Sequence, residues 1–308
     1  MNIDIFTNIL SDTIRAATPL IFAATGELVA EKSGVLNLGV EGMMLMGAAS
    51  GFMVTVNTGS VYYGLIAAVI VGGAIALIHA VLTITFNANQ IAAGLALGIF
   101  ASGLSAFLGA DYVGKPVTPL QALNIPFLHE IPVVGKAIFQ QDILVYLAVF
   151  LVFYLHWFLG NTRTGLVLRS VGESPQVSHA LGLPVGKVRY LAVIWGGAMA
   201  GLAGADFSLA YTPLWAEGMT AGSGWIAIAL VVFSGWRSPK ILLGAYLFGA
   251  VSKIQLLLQG LGVNISPYLL SALPYLTTIV ALVLISRHSD RQHTIAPLSL
   301  GKPYLANH

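Results

Sequence analysis

The sequence feature that most constrains the fold is an apolar run, "VYYGLIAAVIVGGAIALIHAVLTITF", which occupies residues 61–86. None of its 26 residues is Asp, Glu, Lys or Arg. About 20 such residues cross a bilayer as an α-helix, which bonds its own backbone groups where no water can. Charged residues make up only 8% of the chain, whereas soluble domains carry about 25%. The run therefore predicts a membrane-spanning helix within a membrane protein.

Similar apolar segments fill most of the remaining chain. They lie near residues 12–30, 41–57, 90–109, 142–160, 188–211, 222–236, 240–259 and 268–286. We predict an all-α polytopic membrane protein, with about 8–10 transmembrane segments in a single transmembrane domain that covers residues 1–308. The stretch near residues 33–56 contains Gly34, Gly39 and Gly42 beside a carboxylate. It is predicted to be broken or re-entrant, because glycine weakens helices.

Lys and Arg in the loops predict the orientation, because cytoplasmic loops are enriched in both. Four occur within residues 161–189 and three in the tail, residues 287–308, while residues 212–221 and 260–267 have none. We therefore expect residues 161–189 and the C-terminal tail on the cytoplasmic side of the membrane. The loop of residues 110–141 then lies on the outer side. The side on which the N-terminus lies stays open.

No sequence pattern points to catalysis by this chain. It has no cysteine, and none of its seven histidines has a second histidine at the spacing of metal ligands. The stretch "GADYVGKP" begins like a phosphate-binding loop, but Pro116 stands where that motif needs a hydroxyl for Mg²⁺. A net charge of +2 is too small for nucleic-acid binding. We expect no enzymatic activity, no metal and no cofactor on this chain.

The cytoplasmic loop "TRTGLVLRSVGESPQVSHALGLPVGKVRY" predicts two short helices. The first ends near Gly172. Ser174 and Pro175 then start the second, because a proline at the first helical position loses no hydrogen bond, and Gly182 ends it. A short helix on the cytoplasmic face suits a groove in another protein, although an ordinary structured loop would show the same pattern.

The apolar segment after this loop, "WGGAMAGLAGADFSLAY", is rich in small residues. Gly197 and Gly201 form a G-x-x-x-G pair, and Gly204 belongs to a parallel stripe of small residues. Small residues let helix backbones approach each other closely in lipid. We interpret Gly197, Gly201 and Gly204 as helix-packing positions.

The motif "RSVGESP" with "ALGL", followed by "GGAMAGLAGA", resembles the permease subunits of bacterial ATP-binding-cassette (ABC) importers for ribose-type sugars, nucleosides and branched-chain amino acids. Three further stretches resemble the nucleoside-type permeases: "TPLIFAATGELVAEKSGVLNLGVEGMM", "ANQIAAGLAL" and "ALVVFSGW". Ser170, Ser174 and His179 depart from the residues that are usual in this superfamily.

The resemblance implies a transport subunit of the bacterial cytoplasmic membrane that hydrolyses nothing itself. Its implied partners are a second permease, forming a heterodimer, cytoplasmic ATPases that use ATP and Mg²⁺, and an outer substrate-binding lipoprotein, for which residues 110–141 are a candidate docking surface. The resemblance also implies which residues couple to the ATPase. They are Arg169, Val171, Gly172, Glu173, Ser174, His179, Ala180, Leu181 and Gly182.

Four polar residues are candidates for the substrate path, because polar side chains in membrane segments are costly and usually functional. They are Asn37, Glu41, Asn89 and Gln90, whose amides and carboxylate could bind the hydroxyls and base edges of a nucleoside. If a helix continues from Asn37 to Glu41, the two share a face. A structural role for all four stays open, and Asp206 is a lesser candidate. A ribose-type sugar or a branched-chain amino acid as substrate, and a secondary transporter that needs no coupling segment, remain alternatives.

Overall fold

The computed structural model describes residues 3–123, 134–260 and 296–304, with single positions between 266 and 283. Every regular element within these ranges is helical. The helices are α1 (Ile3–Lys32), α2 (Val40–Thr58), α3 (Val61–Ala80), α4 (Gln90–Gly109), α5 (Val134–Ile138), α6 (Ile143–Asn161), α7 (Arg163–Glu173), α8 (Pro175–Ala180), α9 (Val185–Asp206), α10 (Ser223–Phe233) and α11 (Ser238–Gly260). Wider π-helical turns extend α3 to Thr85 and α9 to Tyr211.

Five described helical stretches are long and apolar enough to cross a bilayer. They are Val61–Thr85, Gln90–Tyr112, Ile143–Asn161, Val185–Tyr211 and Ser238–Gly260. The prediction of an all-α polytopic membrane protein is confirmed. The apolar helix α10 has 11 residues and is therefore only about 16 Å long, roughly half the thickness of the hydrocarbon layer.

Helix α9 lies at the centre of the bundle, where it packs against α1, α2 and α3. In the most apolar 18-residue stretch of Val185–Tyr211, which contains α9, 72% of the residues are buried. In the corresponding stretch of Gln90–Tyr112, which contains α4, 22% are buried. Glycines make this position possible. A methyl group on Gly201 would overlap the carbonyl oxygen of Ala68 in α3, and one on Gly204 would overlap the carbonyl oxygen of Met44 in α2.

Helix α2 is buried on all sides, since every residue from Gly42 to Phe52 is buried. The outer helices instead turn large apolar side chains away from the protein. Ile99 and Phe107 of α4 are 74% and 78% exposed, and Phe150 of α6 is 63% exposed. Such a surface suits hydrocarbon, because soluble proteins rarely expose contiguous apolar patches of this extent.

The predicted break lies at residues 33–39, between α1 and α2, and α2 itself is continuous. The predicted segment 268–286 lies mostly outside the described residues. The same holds for residues 124–133 of the outer loop and 287–295 of the tail.

Candidate functional site

A non-helical stretch, residues 33–39, separates α1 from α2 inside the bundle. Gly34 has a φ of +89°, and a methyl group there would overlap Ser299 Oγ and lie 2.9 Å from Arg189 Nη2. Glycine is required at this position for both reasons. Ser33 and Asn37 are fully buried, so the backbone groups of the break need partners from the protein.

Side chains from α1, α3 and α4 satisfy the backbone of the break. The Leu36 N–H donates to Gln90 Oε1 at 2.8 Å, and the Leu36 carbonyl oxygen lies 3.1 Å from His79 Nε2. The Asn37 N–H donates to Glu27 Oε1 at 3.0 Å. Irregular backbone at membrane depth is tolerated where protein surrounds it in this way.

The Asn37 side chain stabilises the turn that precedes α2. Its Oδ1 accepts a hydrogen bond from the Gly39 N–H at 2.9 Å, and its Nδ2 lies 3.3 Å from Met43 Sδ. Because α2 begins at Val40, Asn37 lies outside the helix. The helical face that the sequence would give Asn37 and Glu41 in common is therefore not formed.

The Glu41 carboxylate joins the first turn of α2 to the N-terminus of α10. Its Oε1 accepts hydrogen bonds from Thr220 Oγ1 at 2.6 Å and from the Gly222 N–H at 2.9 Å. Its Oε2 accepts one from the Gly224 N–H at 2.6 Å. The first N–H groups of a helix have no partner within the helix, so Glu41 supplies α10 with acceptors from a distant part of the chain.

Asn89 and Gln90 are adjacent but differ in their surroundings. Asn89 is exposed and caps α4, because its Oδ1 accepts a hydrogen bond from the Ala92 N–H at 3.0 Å. Gln90 is buried and holds the break. The structure thus brings Asn37 and Gln90 together at the break, places Glu41 at the start of the next helix, and leaves Asn89 at the surface. A role of the four in the substrate path stays a prediction.

Sequence reasoning missed three buried groups around the break. Glu27 and Glu31 lie four residues apart on α1, and Trp236 Nε1 donates to Glu31 Oε2 at 2.5 Å. Arg189 is 2% exposed, and its Nε donates to the Ser33 carbonyl oxygen at 3.1 Å. The two carboxylates share one helical face beside an apolar segment, a signal that was present in the sequence. Arg189 carried no such signal, because it counted only as a loop charge.

Asp206, the lesser candidate, is buried at the end of α9, at 2% exposure. Among the described residues, no donor reaches its Oδ2 atom.

The coupling segment of the sequence analysis, residues 169–182, begins in α7. Val171 and Gly172 are buried, and a methyl group on Gly172 would overlap the carbonyl oxygen of Lys32 at the end of α1. Helix α7 therefore lies directly against the end of α1 that precedes the break.

Helix α8 continues the coupling segment on the exposed side. Ser174 Oγ accepts a hydrogen bond from the Val177 N–H at 3.4 Å, and Pro175 occupies the first turn, so the helix start expected from the sequence is confirmed. Val177 and Leu181 are 59% and 74% exposed, and the other exposed residues of the segment are Glu173, Gln176, His179, Ala180 and Gly182. The segment presents apolar side chains without cover from the described parts of this chain.

Metal binding has no support in the described parts of the chain, where no three His, Asp or Glu side chains form a possible metal site. The polar side chains around the break form hydrogen bonds with its backbone.

Comparison with known proteins agrees with this architecture. A family model described as branched-chain amino acid transport system / permease component matches residues 9–285. A protein of Haloferax volcanii described as a candidate glucose ABC transporter permease, TsgC13, is 40% identical over 96% of this chain and 97% of its own length. The guanosine ABC transporter permease protein NupQ of Bacillus subtilis is 32% identical over 98% of both chains. The guanosine ABC transporter permease protein NupP of the same organism is 28% identical over 79% of this chain and 72% of its own length.

The family match covers most of the chain, and two full-length relatives are ABC transporter permeases. The buried break between α1 and α2, the exposed surface of α8 and the helical membrane bundle fit that assignment. The chain belongs to the permease family of the branched-chain amino acid transport systems and is a membrane-spanning permease subunit of an ABC transporter.

Proposed function

We propose that this permease forms half of the membrane path of an importer for nucleosides. The observation that carries the proposal is the contact between α7 and the end of α1, where Gly172 lies against the Lys32 carbonyl group. A displacement of the coupling segment acts through that contact on the end of α1 and on the break that follows it, which buried polar groups surround. An ATP-driven importer needs such a link between its ATPase and its path.

We place the path beside the break. Asn37 and Gln90 form their hydrogen bonds with backbone groups of the protein itself, so they shape the wall of the path. Glu41 holds α10 in position at the start of α2. Asn89, which is exposed at the start of α4, is the candidate for direct contact. An importer that receives its substrate from a binding protein needs only weak contacts along the way.

A nucleoside fits best among the substrate classes considered. NupQ and NupP, two of the relatives, are named for guanosine. The three stretches typical of nucleoside-type permeases include residues 18–44, which contain the break. The stretch that resembles nucleoside-type permeases thus includes the non-helical residues 33–39.

A simple sugar is the second candidate, because TsgC13, at 40% identity, is described as a candidate glucose permease. Sugars and nucleosides both present hydroxyl groups to amides and carboxylates. They differ in the base, which adds ring edges and an aromatic face.

The proposed partners follow from the ABC architecture. We propose that cytoplasmic ATPase subunits, which use ATP and Mg²⁺, bind the exposed apolar side chains of Val177 and Leu181. We propose a second, related permease as partner, since Bacillus subtilis has two guanosine permeases similar to this chain. An outer substrate-binding lipoprotein would dock on residues 110–141, and the C-terminus would lie in the cytoplasm.

The test is uptake into liposomes that contain the complete transporter, with ATP on the ATPase side. Labelled guanosine and labelled glucose are compared, and each unlabelled compound is offered as competitor. We expect ATP-dependent uptake of guanosine that glucose does not inhibit. Uptake of glucose alone would contradict the nucleoside assignment. Uptake that persists without ATP, or after deletion of residues 173–182, would indicate a secondary transporter.

A further inference from the structure

The C-terminal strap, residues 296–304, crosses three helices that are distant from it in sequence. One of its residues, Ser299, is buried. The Ser299 N–H donates to the Gly172 carbonyl oxygen at 3.0 Å, and its hydroxyl donates to the same oxygen at 2.5 Å. The Leu298 N–H donates to Glu173 Oε2 at 3.3 Å. The strap is therefore attached to the end of α7, within the coupling segment.

The other side of Ser299 is attached to the break through Arg189. Arg189 Nη2 donates to Ser299 Oγ at 3.1 Å, while its Nε donates to the Ser33 carbonyl oxygen at 3.1 Å. The Tyr304 ring, also in the strap, lies 5.6 Å from Arg189 Cζ. A buried guanidinium thus bridges the strap and the first residue of the break, and its rigid fork fixes both distances.

A second connection runs through Gln90. Its Nε2 donates to the Lys302 carbonyl oxygen at 3.4 Å, while its Oε1 accepts the Leu36 N–H at 2.8 Å. The strap therefore reaches both Ser33 and Leu36. The direct contact of Gly172 in α7 reaches Lys32 and the backbone of Gly34, whereas the strap also holds Ser33 and Leu36 through hydrogen bonds.

We propose that the C-terminal strap transmits movement of the coupling segment to the break between α1 and α2, with Arg189 and Ser299 as positioning residues. This inference rests on the proposed function, because it assumes that an ATPase moves α7 and α8. When α7 moves, Ser299 moves with Gly172, and Arg189 pulls on the Ser33 carbonyl group. The strap makes the conformation of the break depend on the position of the coupling segment.

The experiment measures ATP hydrolysed per nucleoside imported by the complete transporter. Ser299→Ala removes the hydroxyl that joins Gly172 to Arg189. We expect ATP hydrolysis to continue while uptake falls about fivefold, the effect of losing roughly one hydrogen bond. Leu298→Ala is the matched control, since that side chain is 72% exposed, and its ratio should equal that of the wild type.

Arg189→Lys is a second variant, which keeps the positive charge but not the rigid fork that bridges Ser33 and Ser299. We expect the same rise in ATP consumed per nucleoside. An unchanged ratio in both variants, with or without a smaller amount of assembled complex, would show that the strap is only structural and overturn the inference. Failure of the proposed function is distinguishable, because the wild-type complex itself would then show no ATP-dependent nucleoside uptake.

Discussion

The Glu41 carboxylate accepts a hydrogen bond of 2.6 Å from the hydroxyl of Thr220, which lies 179 residues further along the chain. Two backbone N–H groups at the start of α10 donate to the same carboxylate. A helix N-terminus carries a partial positive charge, which favours an anion there. The start of α2 thus supplies α10 with the acceptors that no helix can provide for its own first N–H groups.

Replacing Glu41 with Gln should destabilise the permease. One amide oxygen cannot accept from three donors, and an unsatisfied buried donor costs about 1–3 kcal/mol. Thermal unfolding of the detergent-purified permease measures the effect. Glu217→Gln is the control, because Glu217 is an exposed carboxylate in the loop before α10. Equal melting temperatures for the two variants would contradict the bracing role of Glu41.

Adding one methyl group to α9 should have opposite effects at two of its glycines. Gly204→Ala puts the methyl group onto the Met44 carbonyl oxygen, and overpacking of this kind typically costs about 1–3 kcal/mol. Gly186→Ala, on the same helix, meets nothing within 4 Å and should stabilise the helix by up to about 1 kcal/mol. Size-exclusion chromatography after graded heating should show early loss of the monodisperse peak for Gly204→Ala alone.

Gln90→Leu should loosen the break locally. The Leu36 N–H would lose its acceptor, so its amide hydrogen should exchange faster, since exchange follows local opening. Hydrogen exchange of peptides that cover residues 33–39 measures this. Asn89→Ala serves for comparison, because it removes the cap of α4 at a cost of about 1 kcal/mol without touching the break. Equal exchange of residues 33–39 in both variants would count against the role of Gln90.

Trp236→Phe should destabilise the bundle by about 1–3 kcal/mol, because it removes the hydrogen bond to the buried Glu31 carboxylate. Trp157→Phe is the matched control, since Trp157 is 53% exposed on α6. Denaturation followed by circular dichroism compares the two. A loss of stability that is no larger in Trp236→Phe would show that the carboxylate does not depend on this donor.

The sequence predicts those features that depend on neighbouring residues. The apolar run 61–86 predicts the helical stretch that the structure shows over Val61–Thr85, although not its π-helical end, and Ser174 with Pro175 predicts the start of α8. The glycines at positions 34, 39 and 42 predict a break, although not its limits, since Gly42 lies within α2. Each of these signals comes from residues that are neighbours along the chain, which is why the sequence alone shows it.

Features that depend on distant partners were not predictable in the same way. Helix α2 has the composition of a lipid-facing helix, yet protein surrounds it, because apolar side chains suit both environments. Arg189 has the position of a topology-determining charge, yet it is buried as a bridge between Ser33 and Ser299. Nothing in the sequence near Glu41 indicates that its donors lie beyond residue 219.

The partners of the break have a consequence for how the chain is made. In the break, the Leu36 N–H donates to Gln90 and the Ser33 carbonyl oxygen accepts from Arg189, while Gly34 lies against Ser299. All three partners leave the ribosome later than the break. The backbone of the break stays without Arg189 and Ser299 until the second half of the chain has been synthesised. Biosynthesis must therefore keep α1 and α2 near water or a chaperone until then, and residues 296–304 complete the contacts around the break.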